Sequence, residues 1–434
     1  MKIEFDFLNL KNNISISIVF QALAMLFVFL QVPISLNYLG DNSYGIWITY
    51  FNLILLFASF DFGISNGIRN ELAKAFSLKD KSLINSILSN ALFFQFSFSI
   101  LFLFVGLLVN HIYFTSNIIS NNSLQIYQLI IIILIGFSVD YFFRIAQVIN
   151  TSFQKAFITP FIFALNNLMT FMAIFILHKY NVVFFEDRLL TIAVFFSFIP
   201  FVNNLCLFLY SFLKTFNIYK LSINLIDKKV LLHVSKKGIG FFYIQIGMFL
   251  FLQLNNFYIL NWISPVEVSR LSIADKYFGL ITVFGSVILF PLWSKFTQKD
   301  QQKDYKWIKN IYKKIDYIFI IVFVLGLIQL LFFNFFKNIW IGDKLDIEFH
   351  LLFLILTKHI FTLYNSSYCY YLNGTNNLSL QIKLYFLLGI INFPISYFLV
   401  KELGLVGILI LPNIGLIIMS YFMRKQVFKI IYSN

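Results

Sequence analysis

Long apolar stretches without charge dominate the pattern of this chain. Six of them contain no Lys, Arg, Asp or Glu: 12–40, 82–139, 189–213, 238–266, 317–336 and 403–423. A transmembrane helix needs about 20 mostly apolar residues, so each stretch is long enough to cross a bilayer. The second stretch is too long for one helix, and the polar run at 110–123 divides it.

The lengths of the apolar stretches and the polar runs between them predict about twelve transmembrane helices. The predicted fold class is therefore an all-α integral membrane protein. The first apolar run has the full length of a span and lacks a small-residue cleavage site, so we do not interpret it as a cleaved signal peptide. The predicted spans are 14–36, 43–66, 84–109, 124–149, 157–178, 189–213, 238–260, 270–293, 316–335, 350–372, 379–400 and 405–423.

A weak internal repeat divides these spans into two groups of six. Span one ends at Asn37-Tyr38-Leu39 and span seven at Asn261-Trp262-Ile263, 224 residues later. Span four ends near Asn150 and span ten near Asn373, 223 residues later. Two pairs of similar span ends separated by nearly the same number of residues indicate that the two halves of the chain are duplicated. Such duplicated halves are common among transporters. We therefore predict an N-terminal bundle at 1–213, a cytoplasmic linker at 214–237 and a C-terminal bundle at 238–434.

Composition narrows the class of protein further. The 434 residues are 59% hydrophobic and only 12% charged, about half the charge of an ordinary soluble domain. This composition excludes a cytosolic enzyme, a disulfide scaffold and a disordered polymer. The two cysteines lie far apart in apolar runs and indicate neither a disulfide nor a metal framework.

The distribution of basic residues predicts the orientation of the chain in the membrane. The net charge of +14 would point to nucleic acid in a soluble protein. If the N-terminus is cytoplasmic, however, 23 Lys and Arg fall on inner loops and 5 on outer loops. This bias follows the positive-inside rule, so we expect both termini in the cytoplasm and no nucleic-acid partner.

Charged residues inside the spans are the candidate functional groups, because a charge near the bilayer centre is costly without a partner or water. Span two carries Asp61, Asn66 and Arg69 toward its cytoplasmic end. In one interpretation Asp61 and Arg69 line the inner mouth of a cavity and meet a charged head group. In the other, Arg69 is an ordinary cytoplasmic anchor and Asp61 a polar packing residue.

Span four carries a second candidate pair. Asp140 and Arg144 are four residues apart and therefore share one face of a helix. A structural bridge within the helix explains the pair, whereas an ion-coupling or gating role requires the bridge to break during transport.

Spans eight and ten carry the strongest candidates. Arg270, Asp275 and Lys276 lie in span eight, and Lys358 precedes His359 in span ten. Adjacent helical residues point about 100° apart, so Asp275 and Lys276 do not bridge each other well. We expect one of them to pair with another helix and one to face a cavity. Lys358 could pair with Asp140 or Asp275, or contact an anionic ligand, and His359 fits a hydrogen-bonded core position.

Motifs of enzymes are missing from the sequence. It has no GxSxG, no P-loop, no HExxH and no Cys/His cluster. We therefore expect a transporter without cofactor or bound metal, and no ATPase of its own.

The chain resembles the Wzx-type oligosaccharide flippases of the multidrug/oligosaccharidyl-lipid/polysaccharide exporter superfamily. The resemblance is carried by YLGDNSYGIW from Tyr38, DFGISNGIRNELA from Asp61, SIADKYF from Ser272 and FPLW from Phe290. It implies two pseudo-symmetric six-helix bundles around a central cavity that opens alternately to each side. In related lipid flippases an Asp followed by a basic residue in span eight contributes to that cavity, and Asp275-Lys276 matches this place. Relatives also use basic residues in span one, where this chain has only Gln21 and Gln31.

The cargo implied by the resemblance is a polyprenyl-diphosphate-linked oligosaccharide, moved from the inner to the outer leaflet of the bacterial cytoplasmic membrane for O-antigen, capsule or related polysaccharide. Membrane lipids, a proton or sodium counter-ion and a polysaccharide polymerase are the implied partners. Two alternatives stay open at this point. One is a drug or organic-cation antiporter of the same superfamily. The other, from a different class, is a membrane-embedded polysaccharide polymerase or ligase.

Overall fold

The structure is a computed structural model of the whole chain, and it describes residues 7–57, 68, 71–72, 75–76, 80–116, 123–153, 155, 157–185, 187–215, 222, 225–226, 239–342 and 345–433. These residues form helices and short connections, with no strand among them. The predicted site residues Asp61, Asn66 and Arg69, and most of the predicted linker 214–237, lie outside the described residues.

Fourteen helices follow one another along the described chain, and helical structure is found at all twelve predicted spans. They are α1 (Phe7–Leu39), α2 (Asp41–Phe57), α3 (Lys81–Ser116), α4 (Ser123–Phe143), α5 (Ile145–Ser152), α6 (Ile158–Lys179), α7 (Arg188–Tyr210), α8 (Ile239–Trp262), α9 (Pro265–Gln301), α10 (Tyr305–Leu331), α11 (Phe333–Trp340), α12 (Phe349–Gly374), α13 (Ser379–Leu403) and α14 (Leu405–Ser433).

Nine helical segments of the described residues are long and apolar enough to cross a membrane. The other three predicted spans correspond to α2, of which 17 residues are described, and to α9 and α12. Asp275 on α9 and Lys358 on α12 belong to the polar cluster described below.

The connection between α9 and α10 differs from the sequence prediction. The predicted spans 270–293 and 316–335 leave 294–315 between them, but both helices extend into this segment and leave only a short turn at 302–304. The carboxylate of Asp304 accepts a hydrogen bond from Trp307 N at 3.2 Å and so caps α10. Basic residues such as Lys299 and Lys309 prevent burial in lipid without preventing helix formation, because Lys is a good helix former.

Two compact units make up the chain, Met1–Phe242 and Tyr243–Asn434. In the first unit α1 packs on α6, α4 on α7, α3 on α4, α6 on α7 and α2 on α4. In the second unit α8 packs on α13, α12 on α14, α10 on α12, α13 on α14 and α9 on α12. When the helices are numbered as membrane spans 1 to 12, the pairs of the first unit are 1 with 5, 4 with 6, 3 with 4, 5 with 6 and 2 with 4. Adding six to each number gives the five pairs of the second unit, so the helix packing repeats as the sequence landmarks do.

A buried amide contact at matched positions supports the repeat. Between α1 and α6, Gln31 Nε2 donates to the backbone oxygen of Asn167 at 2.7 Å. Between α13 and α8, Asn392 Nδ2 donates to Asn255 Oδ1 at 3.0 Å. Gln31 and Asn255 are 224 residues apart, the offset of the helix-exit landmark. Gln31 thus holds two helices of its unit together, since a polar bond has no competition from water in hydrocarbon.

Local signals explain several helix boundaries. Gly40 separates α1 from α2 with φ at 78°, a conformation that glycine adopts without a steric penalty. Asp80 caps α3 by accepting from Leu83 N and Ser82 N, each at 3.0 Å. These hydrogen bonds, together with one from the Ser82 hydroxyl, lower the pKa of Asp80 below its ordinary value because they favour the charged carboxylate.

Candidate functional site

The second unit contains a polar cluster of four side chains, Asp275, Lys358, His359 and Thr282, which we call the α9–α12 cluster. Lys358 and His359 follow each other on α12 and both reach the Oδ1 atom of Asp275 on α9. His359 Nε2 lies 3.1 Å from that oxygen, and the Lys358 ammonium forms an ion pair with it. Two cationic or ionisable groups thus surround one carboxylate.

The second ring nitrogen of His359 is also engaged. Its Nδ1 lies 3.3 Å from Thr282 Oγ1, and that hydroxyl donates to the Gly279 carbonyl at 2.7 Å. With its proton on the carbonyl, the hydroxyl is an acceptor toward Nδ1. Both ring nitrogens of His359 therefore face side-chain oxygen atoms, those of Asp275 and Thr282.

Exposure differs among the three groups. The side chain of Asp275 is 40% exposed, against 20% for Lys358 and 10% for His359. A carboxylate at this depth in a membrane helix requires water or a polar ligand on its open side. The acid therefore forms the accessible part of the cluster, and the two bases lie behind it.

The other predicted residues of α9 lie at different places. Lys276 is half-buried and, as the next residue, points to another face of the helix than Asp275. Arg270 pairs with Glu267 at 2.7 Å in the first turns of α9, where Ser264 caps the helix. The structure therefore joins Asp275 to Lys358 directly and places Arg270 in an ion pair near the helix start.

The first unit holds a separate cluster around Asp140, which is completely buried. Arg144 Nε donates to Asp140 Oδ2 at 2.7 Å, and Asn204 Nδ2 donates to Oδ1 at 2.7 Å. Gln147 in turn donates to Asn204 Oδ1 at 2.7 Å. Both carboxylate oxygens are satisfied, and α4 ends where Arg144 interrupts the helix before α5.

Sequence reasoning missed the contributions of Asn204 and Gln147 to this site. Asn204 follows Asn203 in the middle of an apolar span, and Asn203 donates to the Asn166 side chain at 2.7 Å. Two adjacent amides in a charge-free run are a signal of helix-to-helix hydrogen bonds. Their partners could not be assigned because neither amide specifies which helix it meets.

A third cluster joins three helices of the second unit and was not predicted. Arg424 on α14 meets Asp316 on α10 through two hydrogen bonds, of 2.8 and 2.9 Å. Tyr364 on α12 donates to the same carboxylate at 2.8 Å and also contacts Arg424. Sequence analysis counted Arg424 only as a cytoplasmic basic residue. The available signal was the spacing of Tyr364, Tyr368 and Tyr371, which places three hydroxyls along one side of α12.

Within the described ranges, no three side chains of His, Cys, Asp or Glu come together as possible metal ligands.

Comparison with known proteins identifies the fold. No protein-family model matches the sequence, and no curated protein matches it. Among solved structures, the inward-facing conformation of a multidrug resistance MATE family transporter of the MOP superfamily matches with a TM-score of 0.70 and 16% identity, over 95% of this chain and 94% of that one. An outward-facing MATE transporter matches with a TM-score of 0.65 and 14% identity, over 99% of each chain.

A third matching structure is a MOP superfamily transporter from Pyrococcus furiosus, which is described as having a binding pocket of reversed polarity. Its TM-score is 0.61 at 13% identity, over 98% of this chain and 95% of that one. At such identities the similarity establishes the fold. The chain therefore has the all-helical fold of MATE transporters.

Proposed function

We propose that this chain is a flippase that moves polyprenyl-diphosphate-linked oligosaccharides from the inner to the outer leaflet of a bacterial cytoplasmic membrane by alternating access. The proposal includes cytoplasmic termini, use of the product by a polysaccharide polymerase, and an inward proton or sodium ion as counter-ion. Its basis is the charge of the polar clusters within the transporter fold.

The observation that carries the proposal is that the acid in each of the two clusters has a basic partner. Asp140 is bonded to Arg144, and Asp275 to Lys358 and His359. A site that selects an organic cation needs excess negative charge, and neither cluster provides it.

Electrostatics explain why such a cargo needs a protein. An isolated diphosphate in hydrocarbon would cost tens of kcal/mol in lost hydration, so it does not cross unaided. Basic side chains in a wet cavity replace part of that hydration. With a negative cell interior, outward movement of each negative charge gains about 2.3 kcal/mol per 100 mV, so the transport is electrically downhill.

The matched structures support the alternating-access part of the proposal. The same fold is found in one inward-facing and one outward-facing MATE transporter. The reversed pocket polarity described for the Pyrococcus furiosus transporter supports the view that this fold accommodates cargoes of opposite charge.

A multidrug antiporter is the second candidate function, because two of the matched structures are described as multidrug resistance transporters. The candidates differ in the sign of the charge that the transport site must attract. The paired acids of both clusters favour the anionic cargo.

A deletion strain provides the decisive experiment. We expect lipid-linked repeat units to accumulate on the cytoplasmic leaflet, where a periplasmic glycosidase or impermeant sugar reagent does not reach them until the membrane is opened. Complementation by the full chain should restore access. Normal repeat-unit export together with increased sensitivity to organic cations would instead establish the antiporter. Accumulation of single units on the outer leaflet would indicate a polymerase.

A further inference from the structure

An apolar cleft lies between α9, α10 and α12 of the second unit. It has a volume of about 370 Å³ and is lined mostly by aliphatic and aromatic side chains, among them Phe284, Ile318, Phe319, Leu325 and Leu363. Phe284 and Leu325 are largely exposed at its edge. The volume falls within the range of ligand pockets in proteins. Apolar walls and an apolar edge suit a hydrocarbon chain and not a sugar or an ion.

One end of the cleft is polar. Tyr364 lines the cleft, packs against Phe319 with ring centroids 4.2 Å apart, and contacts both Asp316 and Arg424 through its hydroxyl. Arg424 also donates to Tyr368 Oη at 3.2 Å. A guanidinium has five N–H donors, and the contacts that the described residues make with Arg424 all use Nη1 or Nη2. Its partly exposed side chain therefore keeps donors for an additional anion.

The surroundings of Arg424 are strongly basic. The start of α10 carries Lys309, Lys313 and Lys314, and the end of α14 carries Lys425 and Lys429. Lys313, Lys314, Lys425 and Lys429 are exposed. The carboxylate that contacts Arg424 is that of Asp316, which Arg424 neutralises, and Asp304 at the start of α10 pairs with Lys299. Such a positive surface at the end of an apolar cleft is complementary to a molecule with an anionic head and a hydrocarbon tail.

We propose that the cleft and Arg424 form a binding site for the lipid carrier, an isoprenoid phosphate, with its phosphate at the remaining donors of Arg424 and the first part of its tail in the cleft. The choice of an isoprenoid over other lipid tails rests on the proposed function. The site lies within the second unit and is distinct from the α9–α12 cluster. It captures the lipid end of the cargo, and the α9–α12 cluster is left for transport.

The head-group part is tested with the purified full chain in detergent and undecaprenyl phosphate as the probe. Arg424→Gln should weaken binding about tenfold or more, the loss expected for a charge-assisted hydrogen bond. Lys425→Gln, which removes a neighbouring cation, should change binding by less than a factor of about three, as exposed charges contribute little. Asp316→Asn should strengthen binding, because it removes the anion that competes for Arg424. If Asp316→Asn leaves binding unchanged or weakens it, the assignment of the phosphate to Arg424 is wrong.

The tail part is tested by filling the cleft. Leu325 lines the cleft and is 57% exposed, whereas Ile320 is on the opposite side of the same helix and is 58% exposed. Leu325→Trp should abolish binding of undecaprenyl phosphate, and Ile320→Trp should have no effect. Equal behaviour of the two variants would overturn the assignment of the tail to the cleft.

Competing ligands separate the sources of the phosphate. Unlabelled undecaprenyl phosphate should displace the same lipid bound as a labelled probe, and neither inorganic phosphate nor phosphatidylglycerol should do so at matched concentration. Displacement by phosphatidylglycerol would overturn the isoprenoid assignment. Failure of this site and failure of the flippase function are distinguishable. If the variants Arg424→Gln and Leu325→Trp export the cargo normally, only the proposed lipid site is wrong. If the purified protein binds undecaprenyl phosphate but the deletion strain shows no export defect, only the proposed flippase function is wrong.

Discussion

At the scale of single residues, the two polar clusters described in the spans differ in how their acids are held. Asp140 is completely buried, and both of its carboxylate oxygens accept hydrogen bonds. Asp275 is partly exposed, and both Lys358 and His359 contact the same one of its carboxylate oxygens. A fully satisfied buried pair resists rearrangement because each broken bond leaves a buried polar group unpaired. The more exposed acid can exchange a base for water or ligand at a smaller cost. We therefore expect Asp140 to stabilise its unit and the α9–α12 cluster to change during transport.

Substitutions at Asp140 and Arg144 can distinguish a structural role of this ion pair from a gating role. Arg144→Met should destabilise the protein by about 3 kcal/mol, because it leaves a buried carboxylate without its cation. The double variant Asp140→Asn with Arg144→Met should restore most of the stability, measured as the melting temperature in detergent. We expect this double variant to transport, as a structural pair predicts. A stable but inactive double variant would instead support a gating or ion-coupling role for the pair.

Lys276 gives a second test at this scale. It lies seven residues after Ser269 in α9 and therefore about 10 Å further along the helix axis, at a rise of 1.5 Å per residue. A lysine at that depth is costly without water, an anion or a carboxylate. We expect Lys276→Arg to retain much of the export and Lys276→Ala to lose it at normal protein abundance. Full export by Lys276→Ala would exclude this residue from the cargo path.

At the scale of helices, close approach of small residues explains how α8 and α13 pack. A Cβ atom placed on Gly247 would lie 2.6 Å from Tyr385 Cβ, and one placed on Gly389 would lie 2.7 Å from Leu250 Cβ. Each glycine thus accommodates a side chain of the facing helix. Helices in membranes associate through such close contacts because lipid offers no hydrophobic driving force between them.

Alanine substitutions test this crossing. Gly247→Ala and Gly389→Ala should each cost about 1–3 kcal/mol, because the added methyl forces the backbones apart. Gly279→Ala serves as the control, since its new Cβ would be 3.6 Å from the nearest neighbour, an ordinary contact. Thermal unfolding of the three purified variants gives the comparison. A control that loses as much stability as the other two would rule out the steric explanation.

At the scale of the whole molecule, the repeat of helix packing and the bias of basic residues make a joint prediction about topology. Six spans in each half place the connection between the halves on the same side as both termini. The excess of Lys and Arg assigns that side to the cytoplasm.

Cysteine labelling tests the topology in intact cells. The natural Cys206 is exposed, so it and Cys369 are first replaced by alanine. New cysteines at Asn42, Ser116 and Asn338 should react with an impermeant thiol reagent from outside. Those at Ser222 and Gln301 should react only after the membrane is permeabilised. Labelling of Ser222 from outside would contradict the arrangement of six spans in each half.

The sequence alone determined the membrane class, the helical fold and the approximate position of all twelve spans. It could do so because a bilayer imposes a length and an apolar composition that are read directly from the chain. It also indicated the repeat from Asn37 with Asn261 and Asn150 with Asn373, and the packing pairs of the two units follow the same pattern. Boundaries at the water-facing ends were less accurate, as between α9 and α10, because helix formation continues beyond the lipid.

The tertiary structure decided which charges meet. Asp140 and Arg144 could be paired from sequence, since four residues apart on one helix fixes their proximity. Lys358 had two possible acidic partners in the sequence, and only the packing of α9 on α12 brings it to Asp275. The contacts of Arg424 with Asp316 and Tyr364 span up to 108 residues. Partners on different helices depend on how those helices rotate and cross, and this geometry is set by the packing of all their side chains together.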